Sequence, residues 1–360
     1  MSVRLLALHA PYQCRHRGVC CREPWAIPVE RVRHRRVVDA VDAGRLRLPQ
    51  GNGGLFAVAP GVDTDADAVV GRRGSDCVFH EPGQVGLCAI HRDLGHEALP
   101  TACQHFPRVV VLDPRGVSLS LSCVCPTAAD LLYDAAPGWH QVVHEGQVVL
   151  PGLQWEGLDA RDTLPPQVSE TRLWDWDAMS AFELQTLDAL ATRVPAEALA
   201  VVAGAAARLE RDSQEPLETL VKMAFRNARP EACEPDVDGL VRLAVASSTG
   251  ADPEAWGPGG NAAAAAQLWL RHQPQVSRYL ASRVMASAVV YHARSARVRS
   301  AWLETAYAVL RRSVDLEMSR GGADRSLFTA ALARADRLLV HGVDAGRLAA
   351  ALHARSALPS

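Results

Sequence analysis

Tyr12-Gln-Cys14-Arg-His16-Arg17-Gly18-Val-Cys20-Cys21-Arg22 places three cysteines within eight positions, and its reading decides what the first third of the chain is. Eight of the nine cysteines in this 360-residue sequence lie between Cys14 and Cys125; only Cys233 stands apart. A soft metal takes about four thiolate or imidazole ligands at roughly 2.0–2.3 Å. Clustered thiols brought together by folding therefore read as a metal-binding module holding zinc or an iron–sulfur cluster. Seven of them, Cys14, Cys20, Cys21, Cys77, Cys88, Cys103 and Cys125, are the expected ligands. Cys123, two residues from Cys125 and expected to share its face of a strand, is left open as ligand or spectator. Cys233 reads as a small apolar residue of the second half. Neighbouring residues rarely both reach one small ion, so the pair Cys20-Cys21 suggests one ligand and one thiol for a second site or for chemistry. His16, His80, His91 and His105 are expected beside the ligands or on the surface.

The rest of the composition bounds the answer. Apolar residues make up 48% and charged residues 22%, as in an ordinary globular protein, and the formal net charge is −2. Bulk electrostatics thus gives no argument for nucleic acid. Residues 1–40 carry eight arginines against Glu23, Glu30 and Asp39, a solvated basic face, and Lys222 is the only lysine. No signal h-region and no run of about 20 apolar residues is present, so a cytoplasmic chain without a membrane span is expected. In that reducing compartment clustered cysteines read as ligands before disulfides.

The expected fold class is α+β: a small cysteine-rich metal-binding N-terminal module of short strands and loops over residues 1–135, a loop-rich connection over 136–173, and a mainly α-helical domain over 174–360. Residues 1–13 suit a short strand or arm. Trp25–Val29 reads as extended, and Glu30–Ala43 as a helix whose inner face is Val32, Val37, Val38 and Val41, stopped at Gly44. Gly51-Asn-Gly-Gly54 marks a turn before a strand at Leu55–Ala59. Asp63, Asp65 and Asp67 alternate like a calcium loop but lack its downstream glutamate, and read as a solvated acidic turn. Cys77–His80 and Gly86–His91 flank the turn Glu81-Pro-Gly83 as a hairpin or pair of loops. Leu94–Ala102 is expected as a short helix delivering Cys103. Val109–Leu112 and Val117–Cys123 form a β-hairpin about Asp113-Pro-Arg-Gly116, and Cys125-Pro126 opens a helix over Thr127–Tyr133. A short strand is expected within Val142–Leu150. Beyond Trp174, alanine and leucine at helical spacing predict helices near 177–192, 195–211, 215–226, 236–247, 261–270, 274–293, 299–318, 324–340 and 344–354, with a flexible link at Gly250–Gly260.

The quoted segment resembles the cysteine-cluster motif F-x-C-x-x-C-G-x-C-C-R of the YkgJ-type proteins, described as zinc- or iron-chelating, and within that superfamily the chain looks most like the flagellin lysine N-methylases. The likeness rests on Cys20-Cys21 followed by Trp25 and Ile27, on Cys77-Val-Phe, Gly86-Leu-Cys88-Ala-Ile, Cys103-Gln-His-Phe-Pro-Arg108-Val, and Leu119-Ser-Leu-Ser-Cys-Val-Cys125-Pro-Thr-Ala-Ala. It covers residues 5–135 and extends faintly to Val276–Leu280 and Trp302–Met318. Arg17 stands where many of these proteins have a cysteine, and Cys123 is an extra thiol.

The resemblance implies methyl transfer from S-adenosylmethionine to lysine amines of a protein substrate, flagellin-like or other, by a metal- or cluster-dependent enzyme. The residues add that no strand-linked G-x-G-x-G loop and no C-x-x-x-C-x-x-C motif is present, so neither a Rossmann-type nor a radical-type methyltransferase has its signature. Asp76, Glu81 and Tyr12 are the groups near the cluster that would ease deprotonation of a lysine amine. Tyr279, Arg283, Tyr291 and Trp302 share a helical face that is a candidate for substrate recognition, and amphipathic packing accounts for the same aromatics at least as well. Two other classes remain open: a non-catalytic zinc- or iron-binding adaptor, and an iron-dependent enzyme that modifies peptides.

Overall fold

Val3–Leu6 (β1) opens the chain as a strand buried along its whole length. The computed structural model describes residues 2–49, 54–58, 66–81, 88–145, 157–211, 214–229, 234–259 and 262–356. The turn at Gly51–Gly53, Asp63, Asp65, the stretch Pro82–Leu87, the end of the strand expected up to Leu150, and Cys233 lie outside the described residues. Pro28–Glu30 (β2), Phe56–Val58 (β3) and Ala66–Val70 (β4) form an antiparallel sheet in the order β2-β4-β3, and helix α1 (Arg31–Asp42) packs on it. A two-residue hairpin, Arg72–Arg73 (β5) with Asp76–Cys77 (β6), precedes α2 (Ala89–Leu94), a 3-10 turn at His96–Ala98 and α3 (Thr101–His105). Arg108–Asp113 (β7) and Gly116–Leu121 (β8) form the expected hairpin, and α4 (Pro126–Tyr133) follows with proline in its first turn. Val142–Glu145 (β9) and Leu158–Asp159 (β10) complete a five-stranded mixed sheet in the order β10-β7-β8-β1-β9.

That sheet is covered on both faces. Val3, Leu5, Val110, Leu112, Val117, Leu119 and Leu121 form one apolar core with Cys125 and Ala128. The alternate residues Arg4, Ser118 and Ser120 are also buried; Arg4 and Ser120 bond to the helical half, and Ser118 accepts from Arg4. Alternating polarity in β8 would suit a strand with one wet face; here the polar face meets polar groups on helices. Gly116 closes the hairpin at φ +120°, and a side chain there would collide with the Ser2 carbonyl, so glycine is required on both counts.

The helices are α5 (Trp176–Thr192), α6 (Pro195–Leu209), α7 (Leu217–Asn227), α8 (Val237–Ala246), α9 (Ala262–Arg271), α10 (Gln273–Val284), α11 (Ala288–Tyr291), α12 (Ala296–Met318), α13 (Asp324–Leu339) and α14 (Ala345–Ser356). Asp175 and Asp236 cap α5 and α8 by accepting from the Ala178 and Gly239 amides. α12 is the spine, packed by α6, α8, α9, α10, α13 and α14. At 23 residues it runs about 35 Å. No helix among the described residues is long and apolar enough to cross a membrane.

Several expectations are corrected. The helix expected over 274–293 breaks after Val284, where Ala286 takes φ +53°, and resumes only as α11. α1 turns Val37 and Ala40 inward while Val32 is 79% exposed. Cys103 lies inside α3 and not after a helix. The supposed substrate-facing surface is interior: Tyr279, Arg283 and Trp302 are buried, and Tyr291 hydrogen-bonds to Asp113 at 2.5 Å. Aromatic and arginine side chains at helical spacing were read as a surface, but each has an internal partner.

Between the sheet and the helices lies a buried ion cluster. Glu183 accepts from Arg115 at 2.9 Å and 3.1 Å and from Arg4 at 3.3 Å, and Arg299 is 3.5 Å away. Arg115 also pairs with Asp113 at 2.7 Å. Burial pushes the Glu183 and Asp113 carboxyls up, but Arg115 foremost, with Arg4 and Arg299 at Glu183, outweighs it and holds both below the ordinary carboxylate range. Depressed folded values mean that this stabilisation is complete above the unfolded values near ~4 and is lost as pH falls through the folded ones. Glu183→Gln leaves three buried guanidiniums facing one carboxylate. It should cost about 3–5 kcal/mol in urea denaturation at pH 7 and flatten the acid limb of the stability profile. An unchanged midpoint and acid limb would refute the assignment.

Candidate functional site

The quoted cysteine segment carries no regular structure; His16 (φ +51°) and Gly18 (φ +68°) fold it back on itself. Its end is tied to the β5–β6 hairpin by the Cys77 amide, which donates to the Cys21 carbonyl at 2.7 Å. Cys88 precedes α2 and is bridged to His80, α3 carries Cys103, and Cys125 sits at the start of α4. These pieces enclose a cavity of about 820 Å³. All seven expected cysteines line it.

The sulfurs form two groups. In the first, the Cys21 thiol hydrogen-bonds to Cys20 and to Cys77, with Cys88 close enough for its charge to be felt. The Cys21 proton is held tightly by those two bonds. The same bonds lower Cys20, and they bring Cys77 down to about 7, while burial pushes Cys88 up to about 12. In the second group, the Tyr12 hydroxyl lies 3.7 Å from Cys125 Sγ. Cys14 Sγ accepts from the His16 amide at 3.4 Å and is 3.9 Å from His16 Nδ1. Burial raises the Cys14 thiol, and burial followed by Cys125 raises the Tyr12 hydroxyl.

Of the histidines singled out in the sequence, His16 and His91 line the cavity; His80, bonded to Asp76 at 3.2 Å, and buried His105 do not. Sequence reading missed His96 and His341. His96 continues a row with His16 and His91 at ring-centroid distances of 5.1 Å and 5.6 Å. Burial, reinforced by His16 and His96, lowers His91. His341 comes from beyond α13 and brings the helical half into the cavity wall. No local signal could have found it, since it is more than 200 positions from the last clustered cysteine.

Cys123 does not share the face of Cys125. β8 ends at Leu121, so strand alternation no longer applies; Cys123 turns into the helical core, its amide donating to Asp336 at 2.6 Å, while Cys125 turns into the cavity. Arg17, at the position of a family cysteine, lines the cavity and pairs with Asp130 at 2.8 Å. Among the described residues no group of three or more His, Cys, Asp or Glu side chains is arranged as it would be around a metal ion. Comparison with protein families, with curated proteins and with solved structures returned no match.

This geometry makes the thiols unequal. In chelator-treated protein, iodoacetamide should label exposed Cys14 well before Cys123, which is 1% exposed, with peptide mass spectrometry as readout. Equal labelling of the two in folded protein would contradict the placement of Cys123.

Proposed function

We propose that the cavity holds a soft-metal centre, zinc or an iron–sulfur cluster, and that the chain is a YkgJ-type protein acting as a lysine N-methyltransferase on a protein substrate with S-adenosylmethionine as donor. The observation that carries the first half is the convergence of seven cysteines, scattered between Cys14 and Cys125, on one cavity. The donor set fits: sulfur and imidazole line the cavity and, among the described residues, no carboxylate does, which suits zinc or iron–sulfur and disfavours calcium or magnesium. Cys20, Cys21, Cys77 and Cys88 are the residues to hold the centre, with Cys14 and Cys125 across the cavity. The small core beneath them, built on Val29, Val37, Phe79 and Ile90, gains most from such a staple.

The second half rests on the motif resemblance and on space. A closed structural zinc site leaves no room for a ligand, whereas a cavity of about 820 Å³ is of the size that takes a cofactor. That observation favours the enzyme over a non-catalytic adaptor. When bound, the centre supplies positive charge and an open coordination position. The chain's own residues then handle the proton. Asp76 is engaged by His80 and Glu81 by Arg92, and neither lines the cavity. Tyr12, its hydroxyl pushed up by burial, keeps its proton at neutral pH. His91, held neutral by burial beside His16, is the acceptor available for the proton of a lysine ammonium.

Protein purified without oxygen or added metal should contain zinc, or iron with inorganic sulfide and a broad visible absorption band. Cys77→Ser and Cys88→Ser should each lose at least about tenfold in metal affinity, the scale of a disrupted ligand environment, while Cys123→Ser keeps its metal. Folded, metal-free wild type would overturn the metal centre. Metal-loaded protein that transfers no labelled methyl group from S-adenosylmethionine to lysine-bearing proteins, flagellin included, would overturn the methylase and leave the adaptor.

A further inference from the structure

The wall of the cavity opposite the first sulfur group has a chemistry of its own. Trp25 stacks at 4.4 Å on the ring of His341 and at 5.4 Å on Phe106. His341 is fixed from behind by Ser122 Oγ at 2.9 Å, so the slot joins the N-terminal module to the turn after α13. Two residues beyond Phe106, Arg108 lies over the Tyr12 ring at 5.6 Å. Among the described residues it donates to the Gln104 and His105 carbonyls, each at 3.5 Å. The charge balance is one-sided. Arg15, Arg17 and Arg108 line the cavity, and among the described residues no aspartate or glutamate does. Arg17 has Asp130; among the described residues no carboxylate lies within 4.0 Å of Arg15 or Arg108. A half-buried guanidinium without a counter-charge, beside π faces, is built for an anion that also carries a flat ring.

We propose that this wall binds a nucleotide-like molecule that bears an anionic group, its heteroaromatic ring against Trp25, Phe106 and His341 and its carboxylate or phosphate on Arg108. The cavity has the volume for such a molecule alongside the sulfurs. The assignment concerns the same cavity as the proposed metal centre and rests on reading that cavity as the functional site, but it uses none of the cysteines.

Equilibrium dialysis on the full chain with AMP, adenosine, inorganic phosphate and S-adenosylmethionine tests it, with metal content measured on the same samples. AMP, S-adenosylmethionine or both should bind, at least tenfold tighter than adenosine or phosphate alone, and which of them binds tells phosphate from carboxylate. Arg108→Gln should remove that advantage over adenosine. His341→Ala, a change on the exposed turn after α13, should weaken the ring-bearing anion at least fivefold and leave the phosphate response unchanged. Wild type that binds none of the ring-bearing anions, or variants that bind them as wild type does, would overturn the subsite. Metal without nucleotide sinks this inference alone; nucleotide without metal sinks the metal centre alone.

Discussion

Asp336, fully buried on α13, holds the molecule's two halves in register. It accepts from the Cys123 amide at 2.6 Å, from the Tyr279 hydroxyl at 2.9 Å and from Arg283 at 3.1 Å. Arg283 in turn donates to the Leu121 carbonyl at 3.0 Å. Removing two charges from water costs several kcal/mol per ion, and a buried pair holds only when its remaining bonding capacity is filled. Here backbone groups at the end of β8 fill it, so the pair clamps the Leu121–Cys123 turn between α10 and α13. Two residues after that turn comes Cys125; five residues after Asp336 comes His341. One buried ion pair therefore sets both a sulfur and an imidazole of the cavity wall.

The clamp matters because the two cores are unequal. The helical core runs from α5 to α14 and also takes in Leu6, Leu8, Ala129 and Leu132 from the N-terminal part. The core beneath the first sulfur group is small, centred on Val29, Val37, Phe79 and Ile90. A core of that size is marginal by itself. It is anchored from outside by Glu23 to Arg337 at 2.6 Å, by Arg17 to Asp130, and by Trp25 against His341. The cavity lies where these anchors and the sulfurs meet.

Local signals in the sequence carried most of the secondary structure and little of the site's closure. Alanine and leucine at a 3.6-residue period fix α5 through α9 and α12 through α14 to within a few residues, and Asp113–Gly116 fixes the hairpin. The break at Ala286 has no glycine or proline to announce it; it follows from packing, with Met285 turned into the core. Periodicity also misjudged Val32, because α1 covers a small sheet whose width only Val37 and Ala40 span. The seven thiols singled out by cysteine count and spacing all line one cavity, since clustering in sequence is a signal that survives folding. The polar face of β8 and the burial of Tyr279 and Arg283 were illegible for the same reason that His341 was: each depends on a partner more than 50 positions away.

The vicinal cysteines sharpen the argument about what the cavity holds. Adjacent residues rarely share one ion, and the sequence leaves open what the second thiol does. In the structure Cys21 lies between Cys20 and Cys77 and hydrogen-bonds to both. The Cys21 thiol is thus bonded to two neighbouring sulfurs, with the buried Cys88 thiol in the same neighbourhood. Thiols crowded in this way repel one another once ionised, and protons or cations are what hold them together. Zinc or iron binding to cysteine releases protons, so the protonated arrangement is the state such a centre would replace. A disulfide would join only two of the four sulfurs and leave Cys88 a buried, neutral thiol. That asymmetry is why the proposal settles on a metal and not on oxidation.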